Sequence, residues 1–220
     1  MNNALSLRGL LLDWDGTTVD SYQPMLSSLR YAYQKHLGIF FPKDEEEFRL
    51  ISPMRLTEST TRYAGEHADE VAESYLWYYE HEGYKLGRVF PHMREVLTEL
   101  YRHGIALGVV TNTNRHRLNI DLDYLQLTAL FDVIVTSEDT PERKPHPAPL
   151  LKGAERLGMD PHDLAYIGDY PGDMIAARDA GMLAIAALWG GIFPAASVLA
   201  EQPDYCLQTP QELLALFNLT

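Results

Sequence analysis

The sequence predicts an α/β fold: a parallel sheet covered by helices on both faces, with an all-helical segment inserted after the first strand. Three observations predict it. Short apolar runs alternate with helical patterns over most of the chain. Several of those helical patterns stop at a glycine (Gly104, Gly158, Gly181), the residue that tolerates the left-handed conformation past a helix end. Between residues 22 and 87 the alternation lapses, and helical patterning continues without a strand.

The first strand is the run Leu10-Leu11-Leu12, which ends at Asp13 and reads as buried on both faces. The helical segment follows, with patterns over residues 21–37, 44–50, 56–63 and 67–82. The last of these carries Tyr75, Trp77, Tyr78 and Tyr79, and aromatics at helical spacing predict core packing. The acids of 44–47 predict a helix start with a solvated face. Four further strands are expected at 105–111, 131–135, 164–167 and 183–187, with helices at 93–102, 115–125, 148–157 and 172–180. Strand–helix alternation implies a parallel sheet, and such sheets gather ligands at the carboxyl ends of their strands. The residues there are Asp13, Thr111, Thr136 and the Gly168-Asp169 pair.

The 220 residues suit one large domain, or one with a smaller insertion, and 46% hydrophobic residues suffice for a core. A formal net charge of −13 argues against nucleic acid as a partner, because phosphate backbones need clustered Lys and Arg. Small phosphates remain open to it if a metal and a few cations gather locally. The lone Cys206 cannot form an internal disulfide, which suits a reducing compartment, and we expect it as a small buried hydrophobe. The N-terminal apolar run is short and ends in acids, so it predicts neither a secretory signal nor a membrane span. The expectation is a soluble, cytoplasmic protein with no membrane partner, as a monomer or homodimer. The eight histidines are scattered without metal-ligand spacing.

Four clusters carry chemistry. Asp13-Trp14-Asp15-Gly16-Thr17 places two carboxylates two residues apart at a strand end, where both can serve one site. Such a pair repels itself unless a cation neutralises it or one member holds a proton. Magnesium takes oxygen ligands of this kind, a protonated Asp can serve a leaving alcohol, and a carboxylate can attack phosphorus. A calcium loop fails on spacing, since glycine is fourth from Asp13 and Pro24 is twelfth. The alternative is a turn that happens to hold two acids. Thr111-Asn112-Thr113-Asn114 joins a strand to a helix, where a hydroxyl and backbone N–H groups suit a phosphate oxygen, although plain N-capping explains it equally well. Arg143-Lys144-Pro145-His146-Pro147 offers a cation in a restrained loop, or a solvated one. Gly168-Asp169 and Asp173 add two acids at a strand end, the second of which also suits the helix dipole. All four clusters fall where the fold collects ligands.

These four elements resemble the four motifs of haloacid dehalogenase superfamily hydrolases, across nearly the whole chain. The runs Asp13-Trp-Asp-Gly-Thr-Thr-Val-Asp-Ser21 and Lys144-Pro-His-Pro147 resemble the phosphoglycolate phosphatase-like subgroup. The resemblance implies a Rossmann-like core of residues 1–20 and 88–220 and a helical cap of residues 21–87. It implies Asp13 as nucleophile and magnesium ligand, and Asp15 as general acid and base with its carbonyl on the metal. It further implies that Thr111 and the backbone after it, at Asn112, hold the phosphoryl group, that Lys144 fixes the phosphate and Asp13, that Asp169 is a metal ligand, and that Asp173 orients the metal shell or Lys144. Asp15 favours a phosphatase over a dehalogenase, which lacks that acid, and over a phosphonoacetaldehyde hydrolase, which carries Ala there. Sugar phosphomutases share all four motifs and remain open, as does a non-catalytic protein on this fold. Tyr170 and Thr113-Asn114 depart from the family's usual residues. The expected substrate is a small phosphomonoester, 2-phosphoglycolate first, with sugar phosphates, nucleotide monophosphates and pyrophosphate behind it. Arg55 in the cap is expected to be solvated.

Overall fold

The structure is a computed structural model that describes residues 7–219. The chain forms two compact units, one taking the chain up to Asp20 and again from Val89, the other being Ser21–Arg88. In chain order, β1 (Gly9–Leu12) opens the first unit and β2 (Val19–Asp20) ends its first segment. The second unit contains α1 (Tyr22–Leu37), α2 (Glu45–Ile51), α3 (Leu56–Ala64) and α4 (Ala68–His81). After β3 (Arg88–Val89) the first unit resumes with α5 (Met93–Arg102), β4 (Ala106–Val110), α6 (Arg115–Tyr124), β5 (Val133–Val135) and α7 (Ala148–Leu157). It closes with β6 (Leu164–Gly168), α8 (Pro171–Ala180), β7 (Leu183–Ala187), α9 (Ala195–Leu199), β8 (Tyr205–Leu207) and α10 (Glu212–Leu216).

Six of these strands form one sheet in the order β5-β4-β1-β6-β7-β8. All neighbouring pairs in it are parallel. The chain builds outward through β4 and β5 on one side of β1, then through β6, β7 and β8 on the other. This reversal opens a crevice beyond the carboxyl ends of β1 and β6. The three leucines of β1 are wholly buried and point alternately to the two faces. Leu11 joins the apolar layer under α7 and α8, with Val110, Leu150, Tyr166 and Met174. Leu10 and Leu12 join the opposite layer with Met93, Leu97, Leu100 and Ile167.

Several expectations need correction. Phe131 is not part of the third strand: it follows the 3-10 turn Thr128–Leu130 and sets its ring edge-on to Trp14 at 6.3 Å. Cys206 is exposed rather than buried, because among the described residues β8 is the edge strand of the sheet. β8, α9 and α10 have three or five residues each, too few for a period to show. In the helical unit, Tyr75 and Tyr79 lie one turn apart and are buried, but Trp77 is 48% exposed. Two residues from each neighbour, Trp77 falls on the far side of α4, where it stacks on Tyr31 and His81. Arg55 is exposed, as expected, and Asp44 caps α2 by accepting from the Glu47 N–H at 3.0 Å. Among the described residues, no helix is long and apolar enough to cross a membrane.

The central position of β1 generates a prediction. Leu11→Ala leaves a cavity that the sheet cannot close, and should lower the stability of the α/β unit by about 3 kcal/mol. In a thermal melt this reads as a fall of roughly 6–12 °C.

Candidate active site

β1 delivers Asp13 to the carboxyl edge of the sheet, and β6 delivers Asp169 beside it. Asp173 stands in the first turn of α8, where its carboxylate accepts from the Tyr170 N–H at 3.1 Å. Lys144 enters from the loop before α7, and its ammonium lies 2.8 Å from Asp13 Oδ1 and 2.8 Å from Asp173 Oδ1. It also donates to the Tyr166 hydroxyl at 2.5 Å, which donates onward to the Val110 carbonyl at 2.9 Å. Asp13, Asp169, Asp173 and Lys144 are all buried.

The backbone between the two first-cluster acids is shaped by close approach. Gly16 has φ 79°, and a Cβ there would lie 2.3 Å from Asp169 Oδ2. A Cβ on Gly190 would lie 2.0 Å from the Gly16 carbonyl oxygen. Thr17 donates through Oγ1 to Asp169 Oδ1 at 3.1 Å. Its carbonyl accepts from Trp189 Nε1 at 2.9 Å. The Trp189-Gly190 turn after β7 thus braces the loop that follows Asp13.

Burial pushes the Asp13 carboxyl up to about 7; Lys144 opposes the shift, while Asp173 and Asp15 reinforce it. Burial also holds Asp169 well above the usual carboxylate range, with Asp13 and Asp173 adding to it. For Lys144, burial alone would lower the ammonium, but Asp13 and Asp173 outweigh it and hold it above its ordinary value. A raised lysine argues for a strong ion pair and a raised aspartate against one. The contradiction dissolves once the neighbours are counted: three buried carboxylates surround one ammonium, so Asp13 and Asp169 are raised by their acidic neighbours while Lys144 is raised by the two acids beside it. With all three carboxylates ionised, two negative charges would be in excess.

That excess bears on a metal. Asp13, Asp169 and Asp173 bring carboxylate oxygens within 4.8 Å of one another. Asp169 Oδ2 is buried without a hydrogen-bond donor among the described residues. Asp173 is less suited as a ligand, since one oxygen faces Lys144 and the other the Tyr170 N–H. An oxygen-only donor set with surplus charge and an unserved carboxylate oxygen fits a small divalent cation.

The remaining sequence candidates divide. Thr111, at the end of β4, is buried, and its hydroxyl oxygen accepts from the Thr113 N–H at 3.1 Å, which leaves its own proton for a ligand. The Asn112 carboxamide is already engaged: it donates to the Lys144 carbonyl and accepts from the Lys144 N–H, both at 3.1 Å. Asn112 thus clamps the lysine loop, and any contact with a phosphoryl group falls to its backbone. The Asp15 carboxylate turns to Thr113 and Arg117. Thr136 does not join the site; its N–H and hydroxyl both serve Asp139, at 2.7 and 2.8 Å. Sequence reading missed Tyr166 and Arg117. Tyr166 reads simply as a core aromatic in a strand. Arg117 carried one signal, a cation in the first turn of a helix, where the dipole disfavours it.

With this geometry in view, likeness to other proteins can be read. The profile of a family described as haloacid dehalogenase-like hydrolase matches residues 10–187. A candidate pyrophosphatase PpaX from Caldanaerobacter subterraneus subsp. tengcongensis is 31% identical over 97% of this chain and 96% of its own. A solved haloacid dehalogenase-like family hydrolase from Streptococcus pneumoniae superposes with TM-score 0.84 at 28% identity, covering 96% of this chain and 99% of that one. A solved candidate phosphoglycolate phosphatase from Lactobacillus plantarum superposes with TM-score 0.82 at 25% identity, over 96% and 99% of the two chains. The chain belongs to the haloacid dehalogenase-like hydrolase family.

Proposed function

We propose that this protein is a magnesium-dependent phosphatase that acts on a small phosphorylated metabolite through an aspartyl-phosphate on Asp13. The observation that carries the reading is the buried cluster of Asp13, Lys144, Asp169 and Asp173, charged groups that burial alone would forbid. Such a cluster persists when its strain serves chemistry. Asp13 Oδ attacks phosphorus. The bond from phosphorus to the leaving oxygen breaks, and its electron pair departs with that oxygen, which takes a proton from Asp15. Asp15 then takes a proton from a water whose oxygen bonds to phosphorus, the bond from phosphorus to Asp13 breaks with its electron pair returning to the Asp13 carboxylate, and phosphate leaves. Thr111, the Asn112 backbone and Lys144 hold the phosphoryl oxygens. Asp13, Asp169 and the Asp15 carbonyl would hold magnesium, which supplies charge neutralisation for the transferring group when bound. Asp173 keeps Lys144 in place.

We assign substrate selection to the helical unit as the family's cap, and we place the protein in the cytoplasm. Phosphoglycolate is the first substrate to try, in keeping with the Lactobacillus plantarum structure's description. Pyrophosphate is a second, favoured by the name of the Caldanaerobacter relative.

Two outcomes are expected. In a phosphate-release assay over small phosphomonoesters and pyrophosphate, turnover requires magnesium, and Asp13→Asn lowers kcat by about 10⁴-fold or more. Turnover that survives in that variant would put the nucleophile elsewhere. The second outcome concerns pH. Asp13 ionises near 7 in the folded chain but near 4 in the unfolded one, and Asp169 shifts in the same direction. The folded state therefore holds more protons than the unfolded one between about pH 4 and 7, and the stability this contributes is lost as pH rises through that window. Magnesium at one fixed concentration, about 100 times its Kd at pH 7.5, should raise Tm by roughly 5–10 °C at that pH and by much less at pH 5. Equal shifts at both pH values would count against these carboxylates as the metal site.

A further inference from the structure

The Asp15 carboxylate is held at both oxygens. Oδ2 accepts from the Thr113 hydroxyl at 2.7 Å, and Oδ1 pairs with the Arg117 guanidinium. Arg117 Nη1 also donates to the Thr113 hydroxyl at 3.3 Å, closing a small ring around the acid. Arg117 sits in an expensive place. It is 8% exposed and occupies the third residue of α6, behind the Asn114 cap, whose side chain accepts from the Arg117 N–H at 2.8 Å. The helix dipole disfavours a cation there, and burial strips the guanidinium of water. Two acids offset this. One is Asp15; the other is Asp121, one turn along α6, with Oδ2 4.0 Å from Arg117 Nε. That Asp121 oxygen also accepts from Trp14 Nε1 at 3.1 Å, and Trp14 is wholly buried. The network therefore grips both Asp15 and the residue before it.

From this arrangement we infer that Arg117 is the positioning residue for Asp15. Together with Thr113 its planar fork fixes the rotamer of Asp15; in the acid form the proton sits on Oδ2, where the Thr113 hydroxyl turns from donor to acceptor, and that rotamer sets the line along which the leaving oxygen receives it. The inference rests on the role proposed above for Asp15. It separates two kinds of substrate. p-Nitrophenyl phosphate loses a phenolate that needs little protonation, whereas an alkyl phosphate loses an alkoxide that needs it fully. A residue that only supports the fold would affect both alike.

The test is kcat/KM for both substrates, with magnesium, in wild type, Arg117→Met and Arg117→Lys. Arg117→Met should lose about 30–300-fold on ethyl phosphate and less than about 3-fold on p-nitrophenyl phosphate. Arg117→Lys should recover part of the ethyl phosphate loss, since it restores charge but not the fork. If circular dichroism shows that Arg117→Met does not fold, Thr113→Val carries the same test, with the same bias against ethyl phosphate. Equal losses on the two substrates, or none, would overturn the inference while leaving the phosphatase reading intact. A wild type inactive on both and on phosphoglycolate and pyrophosphate too, or turnover untouched by Asp13→Asn, would remove that reading and the inference with it.

Discussion

The ammonium of Lys144, buried between Asp13 and Asp173 at 2.8 Å from each, is the contact around which the carboxyl edge of the sheet is built. A buried ammonium without partners would be costly to keep charged. Two carboxylates hold it charged, yet they and Asp169 outnumber it, and ionising all three would leave the pocket negative. That surplus suits the pocket to a divalent cation, and Asp169, with one oxygen served by Thr17 and the other without a donor among the described residues, is the acid with the most room for one. Remove the lysine, and three carboxylates face one another with nothing between them.

Close backbone approach makes this charge cluster possible. Gly16 passes over Asp169 where no side chain fits, and Gly190 presses on the Gly16 carbonyl from the β7 side. Asn112 does the equivalent work for Lys144, pairing with both backbone polar groups of that residue. The strand ends set where each segment emerges. These three small contacts set how near the segments come.

Much of this was legible in the sequence, for definite reasons. Leu10-Leu11-Leu12 is apolar at three successive positions, which only a strand buried on both faces requires. The helices α5 and α7 have long apolar stripes and clean glycine or turn ends. The three charged clusters stood out because acids and a lysine at strand ends have no role in packing. What stayed hidden depends on partners distant in sequence. Nothing near Arg117 announces that it meets Asp15, 102 residues away. The Asn112 side chain gave no sign of its clamp on Lys144, which spans 32 residues. Cys206 looked buried because a strand pattern does not say whether its neighbour on one side is another strand or solvent. Trp77 looked like core because its neighbours were.

Tyr166 belongs to two worlds. Its ring lies in the apolar layer with Leu11, Val110 and Met174, and its hydroxyl receives the Lys144 ammonium. Core residues elsewhere in the sheet are free to drift among similar shapes, since only volume is at stake. Here a change in packing tilts the ring, and the ring carries the lysine with it. The layer beneath α7 and α8 therefore evolves under two selections at once, one for cohesion and one for the placement of a charge. A designer seeking a sturdier version of this protein has more latitude on the opposite face.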